Sequence, residues 1–154
     1  MPLHIMSTLC TSGKCRSSPK ARTRMTETQP NPIETVEAFL DAFAAMDFDT
    51  ALTYLAGECE YTNIPIGTVR GHAGVRDVLG PFFEPIHENE FVILRQAADG
   101  PIVFLERLDR HRLDHGWREL PVNSVFEVQD GRITVWRDYF DLMTAAKIHD
   151  PAAI

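Results

Sequence analysis

Long apolar runs are missing from this sequence of 154 residues. No stretch approaches the roughly 20 apolar residues that a membrane helix needs, so we expect no membrane span. Cysteine is also scarce, because three residues cannot form a disulfide framework and their odd number fits a reducing compartment. We therefore expect one globular domain in the cytoplasm, since chains of this length usually fold as one unit.

Acidic residues are missing from the first 24 positions, which hold five Lys or Arg. The rest of the chain has 22 acidic and 10 basic residues, so that its net charge is −12. A body this acidic repels phosphates, and we expect no nucleic-acid partner. Residues 1–30 show no apolar periodicity and are predicted to be a disordered extension, either resembling a transit peptide or preceding a true start at Met25. The domain is expected at residues 31–148, followed by a tail, 149–154.

Helix signals dominate the first half of the body. Asn31 can cap a helix, Pro32 suits its first position, and Glu34 complements the cap. Apolar residues at helical spacing then continue to about residue 46. The helices predicted here are 31–46, 49–57 (ended by Gly57) and 72–79 (broken by Gly80-Pro81).

Beyond residue 90 the apolar pattern changes from helical spacing to alternation, which is typical of strands. The predicted strands are 59–64, 91–97, 102–113, 118–128 and 132–140. Asp130-Gly131 is a strong hairpin signal between the last two, and a short helix is expected after Asp141. Helices grouped before a strand meander predict an α+β fold, with a curved sheet wrapped around the N-terminal helices and a pocket between them.

Charged residues interrupt the apolar face of strand 102–113. Strand side chains alternate between faces, so Arg107 and Asp109 share the side of Val103 and Leu105. A guanidinium and a carboxylate two residues apart on one face can form a charge-assisted pair. The strand therefore predicts a polar site facing an apolar interior.

Two other strands repeat this pattern. Asp138 shares a face with Trp136 and Phe140, where desolvation would favour a tunable acid or base. Tyr61 and Asn63 add a phenol and an amide on one face of the first strand. A solvated strand end or a structural ion pair would explain any one of these groups. Five such groups on inward positions of three strands favour a catalytic site.

Three motifs in this order resemble the limonene-1,2-epoxide hydrolase family. They are Tyr61-Thr62-Asn63-Ile64-Pro65, Glu106-Arg107-Leu108-Asp109 and Trp136-Arg137-Asp138-Tyr139-Phe140-Asp141. The resemblance runs from about Ile33 to Leu142. It implies the cone-shaped fold shared by nuclear transport factor 2, ketosteroid isomerase and the SnoaL-like polyketide cyclases, with a curved, mixed and mostly antiparallel sheet and one deep apolar pocket.

The resemblance also implies the site residues. Those of the catalytic set are Tyr61, Asn63, Arg107, Asp109 and Asp138. Those lining the substrate pocket are Leu120, Val122, Trp136 and Phe140. The family further implies a homodimer formed through the sheet and a reaction that needs no metal or organic cofactor.

The expected reaction opens a hydrophobic terpene, lipid or steroid-like epoxide to a vicinal diol. Asp138 is the expected general base acting on a water held by Tyr61 and Asn63, and Asp109 is the general acid. Arg107 lies between the carboxyls, which should titrate as a coupled pair. Direct attack by water needs no covalent intermediate.

Other functions also fit these residues. Asp138, Tyr61 and Asp109 also fit a ketosteroid isomerase-like site, although Arg107 would favour the ionised form of the acid that an isomerase keeps neutral. A polyketide cyclase or a non-catalytic small-molecule binding protein would use the same fold. Metal binding is not expected, because the histidines of the body lack ligand spacing.

Overall fold

The computed structural model describes residues 31–64 and 66–152. Their elements, in chain order, are α1 (Pro32–Ala44), α2 (Phe48–Thr53), β1 (Leu55–Ile64), β2 (Gly67–Arg70), α3 (Gly71–Phe83), β3 (Glu88–Asp99), β4 (Ile102–Leu113), β5 (Gly116–Gln129), β6 (Arg132–Phe140) and α4 (Leu142–Ala146). The predicted extension with Met25 lies outside the described residues, as do Pro65 and the last two positions of the predicted tail.

The strands form one mixed sheet in the order β2-β1-β6-β5-β4-β3. β1 runs parallel to β6, and every other neighbouring pair is antiparallel. Register shifts interrupt the β1–β6, β3–β4 and β5–β6 pairings, and such irregularities bend strands and increase their twist. The predicted α+β fold with a curved, mixed and mostly antiparallel sheet is confirmed.

Helix α1 supplies the apolar layer that covers the inner face of the sheet. Asn31 caps it, since its side-chain oxygen accepts a hydrogen bond from the Ile33 amide at 3.1 Å. The Phe39 ring meets Phe126 and Trp136 edge-on, with centroids 6.0 and 5.0 Å away. The strands thus present one face to the helices, and a polar group on that face is withdrawn from bulk water.

Two predicted helix ends are wrong. α2 ends at Thr53, and Gly57 lies inside β1, because Leu55 already pairs with Ile133 of β6. α3 continues through Pro81 to Phe83. A proline deprives a helix of one backbone donor. The residues after Pro81 nevertheless stay helical, because the Phe83 ring stacks on the ring of Phe43 in the core with a centroid distance of 5.6 Å.

The predicted bounds of β4 and β6 are confirmed, whereas β3 and β5 are longer than predicted and β2 was not predicted. β2 has only four residues and pairs with β1, so its short sequence carries little alternation to detect. The hairpin between β5 and β6 is confirmed: Asp130 and Gly131 have φ of 51° and 71°, as a two-residue primed turn requires.

Candidate active site

Three neighbouring strands place a buried charged network on the inner face of the sheet. β4 contributes Arg107 and Asp109, β6 contributes Asp138, and β5, which lies between them, contributes Ser124 opposite Asp138. The exposed fractions are 2% for Arg107, 6% for Asp109 and 5% for Asp138. Charged groups buried to this degree need partners, and these residues supply them to one another.

Arg107 is the centre of the network. Its Nε and Nη2 donate to the two oxygens of Asp109 at 2.6 and 3.2 Å. Its Nη1 and Nη2 donate to the two oxygens of Asp138 at 3.4 and 3.2 Å. Nη1 also donates to the Ser124 hydroxyl. All five guanidinium N–H bonds are therefore used, which fixes both carboxyls relative to each other.

Asp138 has further donors from its own sheet. The indole Nε1 of Trp136 donates to Asp138 Oδ1 at 2.7 Å, and the Ser124 hydroxyl donates to the same oxygen at 2.5 Å. Three side chains therefore hold the Asp138 carboxyl in place. Asp109, in contrast, accepts only from Arg107 among the described residues.

Tyr61 and Asn63 of β1 lie beside Asp138 of β6. The parallel pairing of β1 with β6 sets Asn63 opposite Asp138 and Tyr61 opposite Trp136. The Tyr61 hydroxyl donates to the side-chain oxygen of Asn63 at 2.8 Å, and its ring stacks on Trp136 with a centroid distance of 4.0 Å. The phenol oxygen keeps lone pairs that can accept a hydrogen bond from a water molecule.

Burial sets the protonation of these groups. It raises the pKa of the Asp109 carboxyl, and although the adjacent Arg107 offsets part of that rise, the resulting pKa is about 6. Burial also raises the pKa of the Tyr61 phenol well above its usual range, an effect increased by the charge of Asp138. Burial alone would lower the pKa of Arg107, but the two carboxyls outweigh it and raise that pKa. One guanidinium thus faces two carboxyls, and the triad is neutral only when one carboxyl holds a proton.

The network forms one wall of a cavity of about 320 Å³. All nine residues expected from the resemblance line it, so the structure brings the expected polar set and the expected apolar set together. These are Tyr61, Asn63, Arg107, Asp109, Leu120, Val122, Trp136, Asp138 and Phe140. Most of the remaining wall is apolar and comes from α1, α3 and α4.

Three polar residues of this region were not predicted, namely Ser124, His111 and His149, the last of which lines the cavity from the segment after α4. Ser124 joins Arg107 to Asp138, and His111, buried at the far end of the same β4 face, also lines the cavity. Both could have been found by alternation, because His111 continues the inward series of Arg107 and Asp109, and Ser124 continues that of Val122. Their small or uncharged side chains gave no separate signal.

Comparison with known proteins connects this geometry to a family. Residues 30–149 match the limonene-1,2-epoxide hydrolase catalytic domain. The chain belongs to the limonene-1,2-epoxide hydrolase family. It is 39% identical to epoxide hydrolase EphG of Mycobacterium tuberculosis over 124 residues, which cover 77% of this chain and 83% of that protein.

Solved structures agree with the family. An LEH-like epoxide hydrolase of M. tuberculosis superposes with a TM-score of 0.66 at 38% identity, covering 75% of this chain and 86% of the other. An NTF2-like protein of Burkholderia pseudomallei has the same TM-score at 24% identity, covering 79% and 98%, and shows the fold alone. The expected family, fold and enzyme class, an epoxide hydrolase of the limonene-1,2-epoxide hydrolase type, are confirmed.

None of the helices in the described part of the chain has the length and apolar character to span a bilayer. Within residues 31–64 and 66–152, no three His, Cys, Asp or Glu side chains come together as a metal site would require. Cys59 is buried in β1, and burial raises the pKa of its thiol to about 12, so it is not an activated nucleophile.

Proposed function

We propose that this chain hydrolyses a hydrophobic terpene, lipid or steroid-like epoxide to a vicinal diol in one step, without a covalent intermediate. One observation carries the proposal: two buried carboxyls, Asp109 and Asp138, share a single guanidinium at the wall of an apolar cavity. A neutral triad requires one proton on the pair, so one carboxyl is an acid while the other is a base.

The donors assign the two roles. Asp138 accepts hydrogen bonds from Trp136 and Ser124 in addition to Arg107, so three side chains hold this carboxyl in place. The pKa of Asp109 is raised by burial to about 6, which favours its protonated form. Asp138 is therefore the general base and Asp109 the general acid.

Bond making and breaking follow from these roles. The water oxygen attacks an epoxide carbon while Asp138 takes a proton from the water, and Tyr61 and Asn63 position that water beside Asp138. As the carbon–oxygen bond breaks, the epoxide oxygen takes the proton of Asp109. Both oxygens become hydroxyls, and transfer of one proton from Asp138 back to Asp109 restores the enzyme. No step needs a cofactor.

The test is a single turnover with excess enzyme in heavy-oxygen water. Direct attack places the heavy atom in the diol during the first turnover. A covalent ester would instead deliver an oxygen of an aspartate, leaving the first diol unlabelled and the label in the protein. Absence of diol from a panel of terpene, fatty and steroid epoxides, with double-bond migration or binding without turnover instead, would point to an isomerase or a binding protein.

The proposal extends to assembly and location. The outer face of the sheet exposes Val92, Phe104 and Tyr139 beside charged residues, which suits a homodimer through that face. Light scattering of the purified chain should give the mass of a dimer, and Phe104→Glu should give that of a monomer. A wild-type monomer would refute this assembly. A cytoplasmic location is proposed from the low cysteine content alone.

A further inference from the structure

Two histidines, His111 and His149, also line the cavity, and the proposed reaction uses neither. His111 follows Asp109 by two positions on β4, faces the same cavity and is 1% exposed. Residues two apart along a strand are separated by about 7 Å. His111 is therefore placed to meet the end of a substrate whose epoxide is held at Asp109.

The cross-strand neighbour of His111 determines which of its nitrogens carries the proton. Asn89 of β3 pairs with His111, and its side-chain nitrogen donates to the Phe43 carbonyl at 3.3 Å. This bond turns the Asn89 side-chain oxygen towards His111 Nδ1, 2.7 Å away. An oxygen there can only accept, so Nδ1 is the protonated nitrogen and Nε2 carries a lone pair.

Nε2 of His111 has no hydrogen-bond partner among the residues that the structure describes. Nε2 is not one of the fully enclosed unpaired polar atoms of the described residues, so it is accessible from the cavity that His111 lines. An acceptor that loses water when a ligand fills the cavity needs a replacement partner. The aromatic rings of Phe82 and Phe83 approach the imidazole edge-on at 5.3 and 6.0 Å and offer it no such partner. A ligand that fills the cavity can complete this bond.

The imidazole is neutral when it meets that ligand. Burial, together with the nearby His149 and Arg107, lowers the pKa of His111 to about 4. A neutral ring with a fixed proton on Nδ1 accepts one hydrogen bond through Nε2 and donates none into the cavity. The complementary group is a donor such as a hydroxyl, and a purely hydrocarbon end would leave Nε2 unpaired.

We propose that the cavity takes an epoxide bearing a hydroxyl group at the end remote from the reacting ring, and that this hydroxyl donates to His111 Nε2. His111 is then a specificity residue. The substrate class rests on the proposed epoxide hydrolysis, whereas the hydrogen bond itself can be tested without turnover.

The kinetic test compares two substrates and three proteins. The substrates are the ring epoxide of α-terpineol, which has a hydroxyl at its remote end, and the ring epoxide of p-menth-1-ene, which has hydrogen there. His111→Leu should lower the ratio of their kcat/KM values, hydroxylated over unhydroxylated, by about tenfold relative to wild type. Phe140→Leu, which changes an apolar part of the same wall, should leave that ratio unchanged. An unchanged ratio in His111→Leu would overturn the proposal.

The binding test uses the wild-type chain and the parent alkenes, which cannot be hydrolysed. In protein labelled with heavy nitrogen at histidine, the Nε2 resonance of His111 should move when α-terpineol is added and stay in place with p-menth-1-ene. No response to α-terpineol would overturn the proposal whatever the rates. A response without diol formation from either epoxide would instead remove the hydrolase function and keep the hydroxyl site.

Discussion

The two ends of the cavity differ in how their polar atoms are satisfied. At the carboxyl end, every N–H of Arg107 is bonded within the protein, to Asp109, Asp138 and Ser124. At the aromatic end, Nε2 of His111 faces the cavity and has no hydrogen-bond partner among the described residues. A saturated network holds its geometry before substrate arrives, as preorganised catalysis requires. An acceptor that faces the cavity takes its bond from whatever fills the cavity, so reactivity and substrate preference should be separable by mutation.

The largest effect is expected from the carboxyl end. Asp138→Asn removes the base and Asp109→Asn removes the acid, and each should lower kcat for epoxide hydrolysis by about 1,000-fold, since one positioned proton transfer contributes roughly 100- to 10,000-fold. Initial rates of diol formation measure this, with circular dichroism as the control for folding. If either variant keeps more than about a tenth of the activity, that aspartate has no part in the mechanism.

The pH dependence of the hydrolysis rate should also be set by the carboxyls. The general acid is protonated below its pKa, and burial raises the pKa of Asp109 to about 6. The alkaline limb of the pH profile should therefore begin near that pKa. Above it, kcat/KM should fall about tenfold per pH unit, for instance between about pH 7 and pH 8.

The matched control is His111→Leu, which should show the same alkaline limb, because burial lowers the pKa of His111 to about 4 and the ring does not titrate in that range. The measurement is kcat/KM across the pH range in both proteins. A wild-type profile that stays flat through this interval would contradict the role of Asp109.

A smaller loss of kcat is expected when the side chains that position the attacking water are altered. Tyr61→Phe keeps the ring stacked on Trp136 but removes the hydroxyl that donates to Asn63. We expect kcat to fall about tenfold with little change in KM, because orientation is lost and the apolar wall is kept. Tyr139→Phe makes the same change on the outer face, where the side chain is exposed, and should have no effect. Equal losses in both variants would argue against a role for Tyr61.

Strand alternation explains how much of this site the sequence could predict. Arg107, Asp109 and Asp138 are charged residues in otherwise apolar inward series, and their burial on one face follows from a period of two. The continuation of α3 through Pro81 did not follow, because tertiary packing of its last turn overrode a local breaking signal. The contact of His111 on β4 with Asn89 on β3 depends on which strands are neighbours in the sheet, and the local sequence pattern does not contain that information.

Ser124 gives the smallest and sharpest test, since it acts on the reaction only through its neighbours. Its hydroxyl accepts from Arg107 and donates to Asp138, so Ser124→Ala leaves one N–H of Arg107 unpaired and removes one donor from the base. Both carboxyls keep their other bonds to Arg107, and kcat should fall by about threefold. Asn123→Ala is the control, because the Asn123 side chain is exposed on the opposite face of the same strand. If the two variants behave alike, the carboxyl network tolerates an unsatisfied donor, and the contrast between the two ends of the cavity is lost.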